Sequence, residues 1–262
     1  MSLVRIDSPG AGITRLVLGR PGMQNALVPE LTGALLAALR AVALDTECRA
    51  VILAADGPAF SIGGDMRRFR KERDGDLYAY SAGLVGQLNE VILALVGLPQ
   101  PVVAAVHGVV TGGSIGLVLA CDLAFLAPQV VFKAHYVTAG FGPDGGWTAL
   151  VSRLAGRRRA AAALLLNRTV RAEEAVAWGL ANEVVAAERL EDTVLAAARR
   201  IATYPVGTLR AAKSLLTADK EALAADLEAE RRRFLDLIDK PQAMAGVDAF
   251  LRDFADYPDA PD

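Results

Sequence analysis

The stretch Val102-Val-Ala-Ala-Val-His-Gly-Val-Val-Thr-Gly-Gly-Ser-Ile-Gly-Leu-Val-Leu-Ala-Cys-Asp122 decides how the rest of the chain is read. Val102–Val106 is a short β-branched run after the Pro99-Gln-Pro101 break, which predicts a buried strand ended by Gly108. Gly112 and Gly113 then open a helix made of Ser114, Ile115, Leu117, Val118, Leu119 and Ala120. Adjacent glycines at a helix start let a ligand approach the backbone and leave peptide N–H groups unshielded. Those N–H groups stand at the positive end of the helix dipole, where an anion or a polarised carbonyl is stabilised. The helix behind them is apolar on every side, which predicts a central position. A turn of this kind can also be no more than a tight packing corner. The neighbouring segments decide between the two.

Upstream lies a second strand–glycine–polar unit, Val51 to Met66, with Phe60-Ser-Ile-Gly-Gly-Asp-Met66 as its turn. Two such turns at the ends of neighbouring strands would aim two N–H groups at one point and form an oxyanion hole. By analogy with a side-chain donor in subtilisin, each donor would stabilise a transition state by about 3 kcal/mol. Further out, Val4–Asp7 and Ile13–Leu18 read as strands joined by the Ser8-Pro-Gly-Ala-Gly12 turn. Arg20–Leu27 is a loop; Pro29 and Glu30 start a helix to about Ala43; Ala50–Ala55 is a strand. Leu77–Leu98 has helical spacing, and Leu123–Ala127 and Val130–Phe132 read as strands. Pro143-Asp144 precedes a predicted helix from Gly145 to about Leu154. Beyond Arg157 the pattern is helical, with Val184-Val185 as the one expected strand, and the Pro/Asp-rich tail Tyr257–Asp262 is expected to fray. An α/β core followed by a helical C-terminal region is the architecture this order implies.

The chain has 262 residues, a formal charge of −2 and a mean hydropathy of +0.32. That charge gives no footing for nucleic acid, and the interrupted apolar runs give none for a membrane span. The apolar composition argues for surface buried between subunits. Cys48 and Cys121 have no metal-ligand spacing and read as reduced core residues, and the N-terminus lacks a signal-peptide pattern; a cytoplasmic protein is expected.

Four segments stand together in order: Arg20-Pro-Gly-Met-Gln-Asn-Ala-Leu27, Ala59-Phe-Ser-Ile-Gly-Gly-Asp-Met66, Pro101–Asp122, and Phe141-Gly-Pro-Asp-Gly-Gly-Trp-Thr148. With these motifs nearly the whole chain resembles the crotonase (enoyl-CoA hydratase/isomerase) superfamily. The resemblance implies an α/β fold with a ββα spiral core over residues 1–200 and a C-terminal helical trimerisation region over 201–262. It implies an acyl-CoA substrate, no other cofactor, no metal, and a homotrimer or dimer of trimers. It also implies that the amides of Gly64 and Gly113 grip the thioester oxygen. Asn25, Ala26 and Leu27, with Asp65, Met66 and Arg67, are implied to lie along the coenzyme A channel. The segment Ala243–Leu251 resembles the family's last helix.

Hydratases of the family use two glutamates; here Gly116 and Tyr136 occupy those positions. A glycine and a phenol activate water poorly. Asp144 stands where some of the family's isomerases carry a proton-shuttling acid, and one carboxyl is enough to move a double bond. The same Asp, just before Gly145-Gly146, would also serve as a helix N-cap, and capping would lower the pKa that catalysis needs raised. Tyr136 either donates to an oxygenated substrate or fills the pocket. His107 reads as structural, and neither His135 nor Ser114 has an evident nucleophilic partnership. The expectation is an enoyl-CoA isomerase. A hydratase or hydrolase using Asp144 and Tyr136, or a non-catalytic acyl-CoA binder or scaffold, are the alternatives.

Overall fold

The computed structural model describes residues 2–217 and 219–253, so the tail from Tyr257 to Asp262 lies outside the described residues. The strands are β1 (Val4–Gly10), β2 (Ile13–Leu18), β3 (Ala50–Ala55), β4 (Val102–Val106), β5 (Val109–Thr111), β6 (Leu123–Leu126), β7 (Val131–Lys133), β8 (Val170–Arg171) and β9 (Glu183–Val184). One sheet has the order β1-β2-β3-β4-β6-β9, antiparallel only between β1 and β2, and a smaller sheet has the order β5-β7-β8. Val51, Leu53 and Val102 to Ala104 are fully buried, which is why β3 and β4 read as unbroken apolar runs rather than alternating ones.

The helices are α1 (Pro29–Leu44), α2 (Met66–Glu72), α3 (Leu77–Gly97), α4 (Ile115–Leu119), α5 (Tyr136–Ala139), α6 (Leu150–Ala155), α7 (Arg157–Leu165), α8 (Ala172–Ala177), α9 (Leu190–Ala202), α10 (Val206–Leu216), α11 (Lys220–Ile238) and α12 (Pro241–Asp253). Among the described helices α3 alone is long and apolar enough to cross a bilayer. It is packed between α1 and α11, and Leu84, Leu88, Val91, Ile92 and Leu95 are buried in the core. α9 packs against β3 and β4, burying Val194 and Ala198.

α10 is fastened to the sheet by Lys213, 5% exposed, whose Nζ donates to Asp122 Oδ2 at 2.7 Å and to the Gln100 carbonyl at 2.9 Å. Asp122 in turn accepts from the Val102 amide at 2.7 Å, so one ion pair ties a C-terminal helix to the start of β4.

Two expectations are corrected. The helix predicted from Gly145 begins only at Leu150, because Gly145 and Gly146 take φ of +63° and +90° and form an irregular turn. Val184-Val185 is not the one strand beyond Arg157: β8 also forms there and pairs with β7, which with β5 makes the smaller sheet. Strands that short carry no alternation to detect.

Candidate active site

The two glycine turns lie side by side. Segment 60–64 runs parallel to β5 through a Ser61–Val110 bridge, with the Ser61 amide donating to the Val109 carbonyl and the Thr111 amide donating to the Ser61 carbonyl, both at 3.2 Å. Side chains close the seam: Thr111 Oγ1 donates to the Ile62 carbonyl at 2.7 Å, and Ser114 Oγ donates to the carbonyls of Ser61 and Thr111. Gly63 is required there, with φ +79° and a Cβ that would stand 2.6 Å from the Thr111 carbonyl oxygen. Leu27 bridges Gly64 from the other side. Gly113 begins the turn leading into α4, and among the described residues neither its N–H nor that of Gly64 is engaged in a hydrogen bond. Both glycines line one cavity.

Asp144 reaches the same cavity and is 7% exposed. A Cβ built on Gly113 would stand 3.0 Å from both of its carboxyl oxygens. The Tyr136 hydroxyl donates to Asp144 Oδ1 and lies 3.0 Å from the Asp144 carbonyl oxygen. Burial pushes the Asp144 carboxyl up from 3.8 to about 7; the Tyr136 hydrogen bond works against that shift and the neighbouring Glu230 charge adds to it. Burial, then the Asp144 charge, push the Tyr136 phenol well above its ordinary value, so it stays a donor.

Asp144 does not cap the turn that follows it. That role falls to Glu230 on α11, a buried residue. Its Oε2 accepts from the Gly146 amide at 2.7 Å, while Oε1 accepts from the Thr148 amide at 2.6 Å, the Thr148 hydroxyl at 2.5 Å and the Ala149 amide at 2.9 Å. Trp147, buried in the core, donates its indole N–H to the Gly112 carbonyl at 2.7 Å and so ties this turn to the Gly112–Gly113 turn. Gly116 is closed to any side chain: a Cβ would meet the Gly145 carbonyl oxygen at 2.3 Å and Ile92 Cδ1 at 2.5 Å.

The cavity, about 600 Å³ of empty space partly open to solvent, has mostly apolar walls: Leu27, Ile62, Met66, Leu84 and Leu88 on one side, Phe69, Phe141, Phe234 and Phe250 on another. Phe69, Phe141 and Phe234 form a cluster with centroids 5.3–6.2 Å apart. His135 lines it too, in a left-handed conformation with φ +64°, and burial lowers its pKa to about 4, so it is neutral at neutral pH.

The residues implied along the coenzyme A channel divide into three groups. Leu27 and Met66 face the cavity. Asn25 is fully buried; its side-chain amide donates to the carbonyls of Asp56 and Ala59 and its Oδ1 accepts from the Arg20 amide, while the buried Ala26 offers its carbonyl to Arg20. Asp65 caps α2 by accepting from the Arg67 and Arg68 amides and pairs with Arg20 at 2.8 Å, which leaves Arg67 exposed beside it. Away from the site, His107 Nε2 donates to the Gly57 carbonyl at 2.8 Å, a structural bond. Glu230, Phe234 and Phe250 escaped sequence reading. Glu230 sits in Ala229-Glu-Arg-Arg-Arg-Phe234, which reads as a solvated helix face, and no local signal distinguishes it.

Residues 9–255 match the enoyl-CoA hydratase/isomerase family model. A 1,2-epoxyphenylacetyl-CoA isomerase from Escherichia coli K12 is 32% identical over 221 residues, 84% of each chain. A probable enoyl-CoA hydratase, EchA17, from Mycobacterium tuberculosis H37Rv is 33% identical over 237 residues, 90% of this chain and 88% of that one. The fold superposes on the crystal structure of an enoyl-CoA hydratase from Bacillus halodurans with a TM-score of 0.89, 24% identity, and coverage of 95% of this chain and all of that one.

Proposed function

The chain belongs to the enoyl-CoA hydratase/isomerase family, and within it we propose a cytoplasmic isomerase that moves a double bond in an unsaturated acyl-CoA thioester. The observation that carries this reading is that Asp144, buried beside Gly113, is the one carboxyl among the described residues lining the apolar cavity, with the position three residues after Gly113 closed to any second one. Bringing one proton off carbon and back needs one acid–base group, whereas adding water needs a group to activate the water and another to deliver the proton.

In this mechanism the Asp144 carboxylate removes the proton from C2 of a 3-enoyl thioester. The C–H electrons move into a dienolate whose oxygen takes the negative charge, and the amides of Gly64 and Gly113 hold that oxygen. Asp144, now protonated, returns the proton to C4, and the double bond settles between C2 and C3 in conjugation with the thioester. Tyr136 keeps the carboxyl aimed. Neutral His135 and the phenylalanine walls exclude water from the dienolate. No cofactor is needed beyond the coenzyme A that the substrate carries. The chain works as a homotrimer or dimer of trimers, with residues 201–262 serving both subunit contact and, through Phe234 and Phe250, the acyl pocket.

The test is direct. A panel of 3-enoyl-CoA esters is incubated with the enzyme, following ultraviolet absorbance of the conjugated thioester and the product mass. A rise in absorbance at unchanged mass is expected. A gain of one water makes the protein a hydratase, release of free coenzyme A makes it a hydrolase, and binding without turnover makes it a scaffold.

A further inference from the structure

We propose that Glu230 is a positioning residue for the proton shuttle: by taking the N–H groups of the turn after Asp144, it leaves the Asp144 carboxyl uncapped and free to exchange protons with substrate. This rests on the isomerase reading and adds to it a residue from a distant helix.

An aspartate followed by Gly-Gly at a turn ordinarily accepts from the N–H groups two and three residues on, and such bonds stabilise the anion. Here the nearer of the two, the Gly146 amide, is committed to Glu230, as are the next amides along the turn, Thr148 and Ala149. The Gly146, Thr148 and Ala149 amides and the Thr148 hydroxyl all donate to the two oxygens of Glu230, at 2.5–2.9 Å. Glu230 is 4% exposed and reaches the turn from the middle of α11, 84 residues beyond Gly146. Asp144 Oδ1 accepts from the Tyr136 hydroxyl, and the residue's own backbone amide is the other donor to its carboxyl.

The turn is further held by the indole bond of Trp147 to Gly112, and Gly145 is packed so closely on Gly113 that a Cβ there would stand 2.3 Å from the Gly113 Cα. Displacing the turn therefore displaces Asp144 from Gly113. The groups facing Asp144 are Tyr136 from α5, Glu230 from α11, the uncharged Gly113 turn and Leu88 of α3; His135, at the start of α5, lines the same cavity with Lys133 behind it. Losing the Glu230 charge removes a like-charge neighbour, and freeing the Gly146 amide offers Asp144 a cap. Both favour the Asp144 anion, in agreement with the direction in which Glu230 now shifts that carboxyl.

The experiment compares wild type with Glu230→Gln, which keeps the volume but turns one acceptor oxygen into a donor. The Asp144 carboxyl is titrated by 13C NMR in the ligand-free protein, and kcat and KM are measured with a 3-enoyl-CoA ester. In Glu230→Gln the Asp144 midpoint is expected to fall by about one unit or more. On the plateau at about pH 8 and above, where Asp144 is ionised in both proteins, the same variant should lose about tenfold or more in kcat, because the base is weaker and the turn displaced, with KM moving less than about threefold. A purely structural role would lower the melting temperature and leave the midpoint alone. A folded Glu230→Gln protein with wild-type midpoint and kcat overturns the proposal. If Glu230→Gln does not fold, Glu230→Asp, which withdraws the carboxylate by one methylene, replaces it: reduced kcat at near-wild-type KM supports the assignment, and wild-type kcat overturns it. The ligand-free titration needs no turnover, so a protein that isomerises nothing still reports on Glu230, and the two readings fail separately.

Discussion

Burial lifts the Asp144 carboxyl from 3.8 to about 7, and this has consequences for both rate and stability. A general base works when deprotonated, so kcat is expected to rise with pH and level off above about 7. Tyr136 opposes the shift, so Tyr136→Phe should move that rise to higher pH, and a pH–rate profile checks it. For stability, the native state holds a proton between pH 4 and 7 that the unfolded chain has released. Raising the pH through this window therefore lowers stability, by an amount on the order of 4 kcal/mol once both states are ionised. Asp144→Asn removes that penalty. At pH 8 it should be more stable than wild type, and the difference should close toward pH 4; denaturant melts at several pH values measure it. Stability gained where activity is lost is the pattern of a strained functional group.

At the scale of elements, α12 is seated by glycine. A Cβ on Gly246 would stand 2.1 Å from the Ala139 carbonyl oxygen at the end of α5, and one on Gly140 would stand 2.7 Å from the Gln242 carbonyl oxygen. Gly246→Ala therefore forces α12 away from α5, at a cost of about 1–3 kcal/mol. Phe250 would be carried off the cavity. Faster hydrogen exchange along α12 and a raised KM are the expected readouts, and unchanged exchange would contradict this packing. What the sequence disclosed follows from the same physics. Turns where only glycine fits, at Gly63 and Gly113, leave glycine in the chain and were legible. So were β3 and β4, as unbroken apolar runs. Glu230 was not, because a buried carboxylate that accepts from a turn 84 residues away has the same local sequence as an exposed one. The onset of α6 was misplaced because Pro-Asp-Gly-Gly reads as an N-cap when its N–H groups have no visible competitor.

Taken whole, the molecule wraps its C-terminal helices back over its own core, so the pocket draws walls from both ends of the chain: Leu27 near the start, Phe234 and Phe250 near the end. Large apolar side chains still stand in solvent. Leu165 and Leu166 at the end of α7 are 73% and 76% exposed, and Leu215 and Leu216 at the end of α10 are 78% and 84% exposed. Such surface on a 27.5 kDa chain fits the proposed homotrimer. Sedimentation equilibrium is expected to give a mass of three or six chains; a monomer at micromolar concentration would contradict that assembly.

In the proposed mechanism Asp144 carries the proton. The measurement that tests it most directly is the turnover of a 3-enoyl-CoA ester by Asp144→Asn, in a protein confirmed to be folded and to bind the ester with near-wild-type affinity. A loss of about a hundredfold or more in kcat is expected. Turnover at the wild-type rate would contradict it.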